Sequence, residues 1–270
     1  MSNVYNNLRN TGMQASIIIP SLKRPVVLQR CIESLNKQTY RNFEKVIIQD
    51  DGPLAKIRNQ GADKAKGEIL VFIDDDVVCP PTWLEAIVSV FSKLPQVGGV
   101  SGPAIIPAKY KANRDITRFK LIKRLYDTIF LEGKANLPGL ITKAGTWTTG
   151  AMEDVAYEGE VDYLEACNMA FRKEVFYDAG KFDETFRGVG DWSEPDLAFR
   201  VRERYYKLWF SQSAKCFHYP DKTGPFRKRN KDNYRVENYR RFASKWVRPS
   251  KKHSMYLLFL KTYYKIKGTI

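Results

Sequence analysis

The sequence predicts an α/β fold with a mostly parallel central sheet and helices on both of its faces. Short apolar runs rich in β-branched residues alternate with segments of helical periodicity through the first part of the chain. Because these strands are apolar almost throughout, neither face of the sheet is expected to meet water. The predicted strands span residues 15–20, 43–49 and 69–73, and the predicted helices span about residues 26–37, 54–66 and 82–93.

The rest of the chain continues the pattern less regularly. Residues 107–160 contain one helical candidate and several glycines, which is typical of loops and hairpins that contact a substrate. Order returns after residue 160, where strands and helices alternate again. We predict further strands at residues 97–106, 161–167 and 208–211, and helices at residues 114–131, 173–179 and 194–205.

The chain has 270 residues and four cysteines at scattered positions: Cys31, Cys79, Cys167 and Cys216. This spacing disfavours a zinc site or a disulfide framework and is typical of a protein from a reducing cytosol. Residues 1–12 are polar and lack the apolar stretch of a signal peptide, and no apolar run is long enough to cross a bilayer. We therefore expect a cytoplasmic protein, either soluble or peripherally attached at the inner face of a membrane.

The net charge of +15 is concentrated near the C-terminus. Residues 200–270 hold 20 Lys and Arg against 4 Asp and Glu, whereas residues 1–199 hold 25 against 26. The tail, residues 226–270, has helical character with aromatic residues between its basic ones, and this composition suits an anionic membrane surface. Packing on the main domain, or a homodimer contact, explains the tail equally well. No nucleic-acid partner is expected, because no nucleic-acid-binding module is recognisable.

Three adjacent carboxylates, Asp74, Asp75 and Asp76, directly follow the third predicted strand. They repel one another, so leaving them at a strand end is costly unless a cation lies nearby. Asp74 and Asp76 point to the same side of an extended chain and together suit Mg²⁺ or Mn²⁺. The alternative is an acidic cap for the helix that follows. Three carboxylates after a buried strand favour the metal site.

Asp50 and Asp51, followed by Gly52, end the second predicted strand. Ligands of open α/β sheets bind where strands end and their loops diverge, and an Asp there can accept hydrogen bonds from a nucleotide base or ribose. The same residues also suit a simple β-turn. The sequence pattern alone leaves both interpretations open.

Several motifs together resemble family 2 inverting glycosyltransferases of the GT-A fold. They occur in the order of that family and cover about residues 15–220, with a nucleotide-sugar half at 15–106 and an acceptor half at 107–225. A flexible N-terminus, residues 1–14, and the tail flank this domain. The motifs include SIIIPS at residues 16–21, VIIQDDG at 46–52, RNQG at 58–61, VFIDDDV at 71–77, ACNMAFR at 166–172, GKFDE at 180–184 and EPDLAFR at 194–200.

The resemblance implies a role for each matching residue. Asp51 contacts the base, commonly uracil, Arg58 approaches the phosphates, and Asp76 binds the metal. Asp74 lies near the ribose and sugar and shares the metal, while Asp75 occupies the variable middle position of the D-x-D motif. The metal, Mn²⁺ or Mg²⁺, joins the two phosphates of the donor. The implied nucleotide-sugar-binding residues are Pro20, Ser21, Asp50, Asp51, Arg58, Asp74 and Asp75.

Inversion in one displacement requires a general base that takes the proton of the acceptor hydroxyl. The family usually has Glu-Asp-x-Asp-Leu here, so the alignment places Glu194 on the usual base Asp. Asp191 and Asp196 are the competing candidates, and an acidic residue in the first turn of a helix is the structural alternative. His218 follows the last core strand, where related enzymes often place a metal or diphosphate ligand, although a lone His is as often structural.

The sequence thus predicts a metal-dependent, hexosyltransferase-type enzyme. It would move a sugar from a nucleoside-diphosphate sugar, most simply a UDP-sugar, to a hydroxyl of a glycan or lipid-linked glycan. A non-catalytic nucleotide-binding relative and a basic nucleic-acid-binding protein are the alternatives. A Rossmann oxidoreductase is disfavoured, because the first strand leads into residues 20–24 and not into a glycine-rich turn.

Overall fold

A computed structural model of the chain describes residues 12–111, 120–221 and 234–266. Ten strands are assigned within these ranges, seven in a central sheet and three in a smaller one. The strands are β1 (Ala15–Ser21), β2 (Phe43–Gln49), β3 (Ile69–Ile73), β4 (Val77–Val78), β5 (Val97–Ser101), β6 (Ala104–Ile105), β7 (Glu158–Glu160), β8 (Asn168–Arg172), β9 (Lys207–Ser211) and β10 (Cys216–His218). The central order is β2-β1-β3-β8-β5-β9-β7, and the small sheet has the order β4-β10-β6.

Helices cover both faces of the central sheet, so the α/β prediction is confirmed. Helices α1 and α3 pack on one face, and α2, α6 and α7 pack on the other. No helix within the described ranges combines the length and apolar composition that a bilayer crossing requires. The helices are α1 (Pro25–Asn36), α2 (Leu54–Lys64), α3 (Trp83–Lys93), α4 (Ala108–Lys111), α5 (Lys120–Ile129), α6 (Lys173–Asp178), α7 (Ser193–Arg202), α8 (Tyr234–Trp246) and α9 (Lys251–Ile266).

Strand β1 shows why the first apolar runs are nearly continuous. Successive side chains of a strand point to opposite faces, and here both faces are covered. Ile17 and Ile19 pack against the layer of α1 and α3, whereas Ile18 packs against the layer of α2. All three side chains are fully buried, which an amphipathic strand would not allow.

The central sheet is mixed, because β8 lies antiparallel between β3 and β5. Pairs β1–β2, β1–β3 and β5–β9 are parallel, as expected. The predicted strand at residues 161–167 was wrong, since β8 begins at Asn168. The residues before it form a turn in which the Asn168 amide donates to the Glu165 carbonyl. Their apolar side chains are buried by loop packing and not by strand pairing.

The C-terminal helices pack on the main domain through an aromatic core of their own. Trp192, which precedes α7, contacts Tyr239 of α8, with ring centroids 5.2 Å apart. Phe130 lies beside α5 and contacts Tyr256 of α9, with centroids 5.2 Å apart. The inner faces of both tail helices therefore bury apolar side chains against the domain. Residues 1–11 of the predicted flexible N-terminus and residues 226–233 and 267–270 of the predicted tail lie outside the described ranges.

Candidate functional site

Parallel pairing brings the carboxyl ends of β1, β2 and β3 to one edge of the central sheet. Pro20 and Ser21 end β1 and are buried there. Ser21 pairs in register with Gln49, so the loop that follows β2 begins beside the end of β1. Asp74 follows the last residue of β3 directly. This edge is where ligands bind in open α/β sheets, and three of the predicted segments meet at it.

Asp75 is 1% exposed and is bound by protein donors. Ser21 Oγ donates a 2.7 Å hydrogen bond to Asp75 Oδ2, and the Arg24 guanidinium donates to both oxygens of Asp75. Burial raises the pKa of Asp75, against the opposing effects of Ser21 and Arg24. Asp75, which was predicted to bind the nucleotide sugar, thus fixes the loop after β3 to the end of β1, and it is buried among the described residues.

Asp74, Asp76 and His218 each present a possible metal ligand atom, and these atoms lie within 4.8 Å of one another. Strand pairing explains how residues so far apart in sequence meet. Strand β10 runs antiparallel to β4 and places His218 opposite Val77, which is the residue after Asp76. As a result, His218 Nε2 lies 3.1 Å from Asp76 Oδ1.

The two oxygens of Asp76 differ in a way that suits a metal ligand. Oδ2 lies 3.4 Å from Arg24 Nη1 and 3.4 Å from the backbone nitrogen of Asp221, and both nitrogens donate to it. Oδ1 is buried and accepts no well-aligned hydrogen bond from the residues that the structure describes. His218 Nε2, 3.1 Å away, is poorly aligned to donate to this buried oxygen, and a cation would satisfy it more fully. Protein donors thus hold Oδ2 of Asp76, whereas Oδ1 lies on the side of His218 and Asp74.

Charges in this cluster strongly affect one another. Burial raises the pKa of Asp74, Arg58 opposes this effect, and the neighbouring charge of Asp76 adds to it. Burial also opposes ionisation of Asp76, but His218 and Arg24 lower its pKa below the ordinary value. For His218, burial opposes protonation, whereas the Asp76 carboxylate, 3.1 Å away, raises the imidazole pKa. A divalent cation would compete with these protons for the same atoms.

Asp50 and Asp51 occupy the loop after β2, as predicted. Asp50 Oδ1 accepts a 2.9 Å hydrogen bond from the Gly52 amide, which is an Asx-turn contact. Asp51 is exposed. Asp50 therefore shapes the turn, while the Asp51 side chain remains accessible to a ligand at this edge.

Arg58 of α2 lies between the acidic cluster and α7. Its side chain is 1% exposed. Nη1 donates to Glu194 Oε1, while Nη2 donates to the Ala166 carbonyl at 3.0 Å. The same Nη2 lies 3.8 Å from Asp74 Oδ1. One guanidinium thus connects the predicted metal ligand Asp74 with the predicted base Glu194.

Glu194 lies in the first turn of α7 and is 8% exposed. The preceding Trp192 has a left-handed backbone, with φ of 70°, so the chain turns sharply into the helix. Burial raises the pKa of Glu194, and Arg58 partly opposes this increase. A carboxylate with a raised pKa is a better proton acceptor than a solvated one.

Asp191 lies just before this turn and pairs with the C-terminal helix α8. Arg235 Nη2 lies 3.1 Å from Asp191 Oδ1, and the Asp191 side chain is 11% exposed. Burial raises the pKa of Asp191, whereas Arg235 lowers it. Asp191 is thus a second carboxylate near Glu194, held by the tail.

Asp196 points toward the tail and away from the acidic cluster. Its side chain is fully buried, and Arg200 Nη2 lies 2.9 Å from Oδ2. Lys245 Nζ and Trp246 Nε1 donate to Oδ1 at 3.0 and 2.9 Å. Both oxygens of Asp196 therefore accept hydrogen bonds from α7 and from the tail helix α8. Of the three base candidates, Asp196 is the one whose contacts are explained by a structural role, which is to hold helix α8 on the domain.

We expect Asp196→Asn to lower the free energy of unfolding by about 1.5–3 kcal/mol, because it weakens the charge-assisted hydrogen bonds that the buried carboxylate accepts from Arg200 and Lys245. Denaturant unfolding followed by circular dichroism measures this loss. Asp63→Asn is the matched control. It removes an exposed pair with Lys181, 3.0 Å apart, and should cost only about 0–1 kcal/mol. Equal losses in the two variants would contradict the anchoring role.

The sequence profile of the family described as "Glycosyltransferase like family 2" matches residues 26–269. The chain belongs to this family. The match extends through α8 and α9, so the tail helices are part of the family's extent. The resemblance drawn from the motifs is confirmed.

Relatives of this family 2 chain come from bacteria and archaea. It is 25% identical over 234 residues to the O-antigen biosynthesis protein RfbC of Myxococcus xanthus, which covers 76% of this chain and 17% of that protein. It is 23% identical over 209 residues to the glucosyl-dolichyl phosphate glucuronosyltransferase of Haloferax volcanii, covering 66% of this chain and 59% of the relative. The chain therefore spans less than two thirds of either relative, 17% of the first and 59% of the second.

Solved structures agree with the family fold. GalNAc-T7 with UDP, GalNAc and Mn²⁺ superimposes with a TM-score of 0.60 at 13% identity, covering 88% of this chain and 48% of that one. The mannosyltransferase PcManGT of Pyrobaculum calidifontis, in complex with GDP-Man and Mn²⁺, gives a TM-score of 0.56 at 16% identity, covering 94% and 70%. The family 2 chain has the GT-A fold, as the resemblance implied.

Three residues of this site were missed by the analysis of the sequence. Arg24 holds Asp75 and Asp76, and its only signal is its position three residues after the end of β1. Cys167 Sγ lies 3.7 Å from His218 Nδ1, and burial raises the pKa of this thiol to about 12, so it stays protonated. Arg235 holds Asp191 from the tail. The contacts of the last two are long-range and have no local sequence signature.

Proposed function

We propose that this family 2 chain is an inverting glycosyltransferase. It would move a hexose from a nucleoside-diphosphate sugar to a hydroxyl of a glycan or lipid-linked glycan. The observation that carries the proposal is the cluster of Asp74, Asp76 and His218 at the carboxyl edge of the parallel strands, joined through Arg58 to Glu194. Metal ligands on one side and a buried carboxylate on the other are the two requirements of a single displacement.

The donor is expected to lie along the ends of β1 and β2. Pro20 and Ser21 form the floor of this edge, and the exposed Asp51 would face the base. Asp50 and Asp75 act through the loops that they hold. The family resemblance supports uracil as the base, whereas the similar solved structures include one with UDP and one with GDP-Man. UDP is therefore our first choice of nucleotide.

Asp76, Asp74 and His218 would hold the metal. Two carboxylates and an imidazole form a mixed oxygen and nitrogen set, and this favours Mn²⁺ over Mg²⁺, which prefers oxygen alone. A bound divalent ion neutralises the charge that builds on the leaving nucleoside diphosphate. Asp76 Oδ1 supports this assignment, because it is buried, has no well-aligned donor among the described residues and lies 3.1 Å from His218 Nε2.

Glu194 is proposed as the general base. As the acceptor oxygen attacks the anomeric carbon, Glu194 takes its proton, and the bond to the diphosphate breaks with its electron pair on the leaving oxygen. Arg58 makes this role dependent on the donor, because its guanidinium contacts Glu194 and lies near Asp74. An incoming diphosphate competes for Arg58, and a Glu194 released from that cation becomes a stronger base.

A thermal-shift panel of nucleotide sugars, with and without Mn²⁺, tests the proposed function. We expect UDP-sugars to raise the melting temperature only when Mn²⁺ is present, because bound ligand stabilises the folded state by mass action. Nucleoside monophosphates are the control, since they lack the diphosphate that the metal would join. If no nucleoside diphosphate stabilises the protein in the presence of Mn²⁺, the proposal fails. Stabilisation by GDP-sugars instead would change the nucleotide and keep the reaction class.

A further inference from the structure

The outward face of α9 carries apolar side chains between lysines. Residues at positions 251, 255, 258, 261 and 265 recur at helical spacing and are all exposed. Met255 is 47% exposed and Leu258 is 64% exposed. Lys251, Lys261 and Lys265 flank them along the same face. The opposite face of α9, with Tyr256 and other aromatic residues, packs into the protein.

Only part of the apolar stripe of helix α5 packs against the protein, and the rest is exposed. Tyr126 and Ile129 pack against the aromatic core. On the adjacent part of the same stripe, Leu121 is 71% exposed, Leu125 is 52% exposed and Ile122 is 48% exposed. Burying such side chains is worth about 1.5–3 kcal/mol each, so exposing three of them on one short helix indicates a contact that the described residues leave unfilled.

Helices α5 and α9 contact each other directly. Tyr126 lies 5.5 Å from Phe259 and Phe130 lies 5.2 Å from Tyr256, measured between ring centroids. The two exposed stripes therefore belong to neighbouring helices on one side of the domain. We define the α5–α9 surface by the apolar residues Leu121, Ile122, Leu125, Met255 and Leu258 and the basic residues Arg124, Lys251, Lys261 and Lys265.

The charge around these apolar residues is almost entirely positive. Helices α5 and α9 together contain seven Lys and Arg and one acidic residue, Asp127. Asp127 pairs with Lys123, and Lys252 pairs with Glu132. Lys251, Lys261 and Lys265 form no ion pair with any residue of the described ranges. The surface is therefore both apolar and cationic.

We propose that the α5–α9 surface binds the face of an anionic lipid bilayer. The leucines and Met255 would enter the interface while the surrounding lysines meet acidic headgroups. A second copy of the chain is a poorer occupant, because it would bring like charges together. Nucleic acid is also a poorer occupant, because single strands bind by stacking on aromatic rings, and Tyr256 and Tyr264 are turned into the core. This binding does not depend on the proposed function.

Vesicle co-sedimentation of the full chain tests the inference. We expect binding to phosphatidylcholine vesicles that contain phosphatidylglycerol, weak binding to pure phosphatidylcholine, and release at high salt. The triple variant Leu121→Ser, Leu125→Ser, Leu258→Ser should bind anionic vesicles at least about tenfold more weakly. The double variant Lys261→Glu, Lys265→Glu should lose at least about tenfold as well.

Matched controls distinguish binding by this surface from non-specific hydrophobic adsorption and from an effect of net charge. Val26→Ser with Tyr205→Ser removes apolar residues that are 82% and 95% exposed elsewhere. Lys37→Glu with Lys93→Glu makes the same change in net charge at exposed sites at the C-terminal ends of α1 and α3. Both controls should bind vesicles as the unmodified chain does. Unchanged binding by the triple variant would overturn the proposal. The proposal would also be overturned if the unmodified chain did not bind vesicles and light scattering showed a monomer–dimer equilibrium that the same substitutions abolish.

Discussion

Asp76→Asn should abolish sugar transfer, with kcat lower by about a thousandfold or more, because the metal would lose its buried anionic ligand and several kcal/mol of charge stabilisation. Asn keeps the size of the side chain and can still accept from Arg24 and the Asp221 amide, so the fold should persist. The Mn²⁺-dependent part of the thermal shift with a nucleoside diphosphate should disappear at the same time. Transfer assays and thermal shifts on the same preparation measure both effects.

Asp63→Asn serves again as the control, because it removes an exposed carboxylate far from the acidic cluster in sequence and contacts. It should leave both transfer and the Mn²⁺-dependent shift unchanged. Transfer within tenfold of the unmodified chain in Asp76→Asn would exclude Asp76 as the principal metal ligand. In that case His218 and Asp74 would have to hold the metal without it.

Glu194→Gln is expected to lower kcat by about 10²–10⁴-fold while leaving donor binding intact. Glutamine keeps an oxygen for Arg58 but cannot take a proton. Asp191→Asn is the comparison, because Asp191 is a largely covered carboxylate three residues before Glu194 but is paired with Arg235. Single-turnover rates and donor affinities distinguish the two variants. If Asp191→Asn loses transfer and Glu194→Gln does not, the base is Asp191.

The pH dependence of transfer gives an independent test of the same residue. The ionised carboxylate is the active form, so the rate should rise with pH as Glu194 loses its proton. Burial raises the pKa of Glu194, so this rise should lie above the ordinary glutamate value of 4.5. The residual rate of Glu194→Gln should lack this limb. An identical acidic limb in the variant would assign the titration to another group.

The first three strands and their helices were predictable because their signals are local. β-branched runs and helical periodicity place β1, β2 and β3 within a residue or two of their observed bounds. Strand β8 was missed by several residues, because its antiparallel position between β3 and β5 depends on long-range pairing. The apolar residues just before it resemble a strand, although a turn buries them.

The acidic cluster could be predicted because its signal is also local, since Asp74 and Asp76 lie at the end of one strand. The meeting of His218 with Asp76 was expected only from resemblance, because it depends on the pairing of β10 with β4. Asp196 shows the opposite case. It sits in the family motif two residues after Glu194, yet a helical turn directs it to Lys245 and Trp246. Sequence proximity could not separate the two, because their partners lie in different parts of the chain.

The C-terminal helix α8 and the loop before α7 share their contacts. Asn238 donates to the Arg187 carbonyl and accepts from the Arg187 amide, at 3.0 and 3.1 Å. Arg235 pairs with Asp191, and Tyr239 packs on Trp192. These two segments are therefore not interchangeable modules. A tail taken from another member of the family would meet a loop whose side chains match different partners. We therefore expect the two segments to be inherited and to diversify as one unit. A chimaera joined between residues 221 and 234 should fold poorly unless residues 187–196 are exchanged together with the tail.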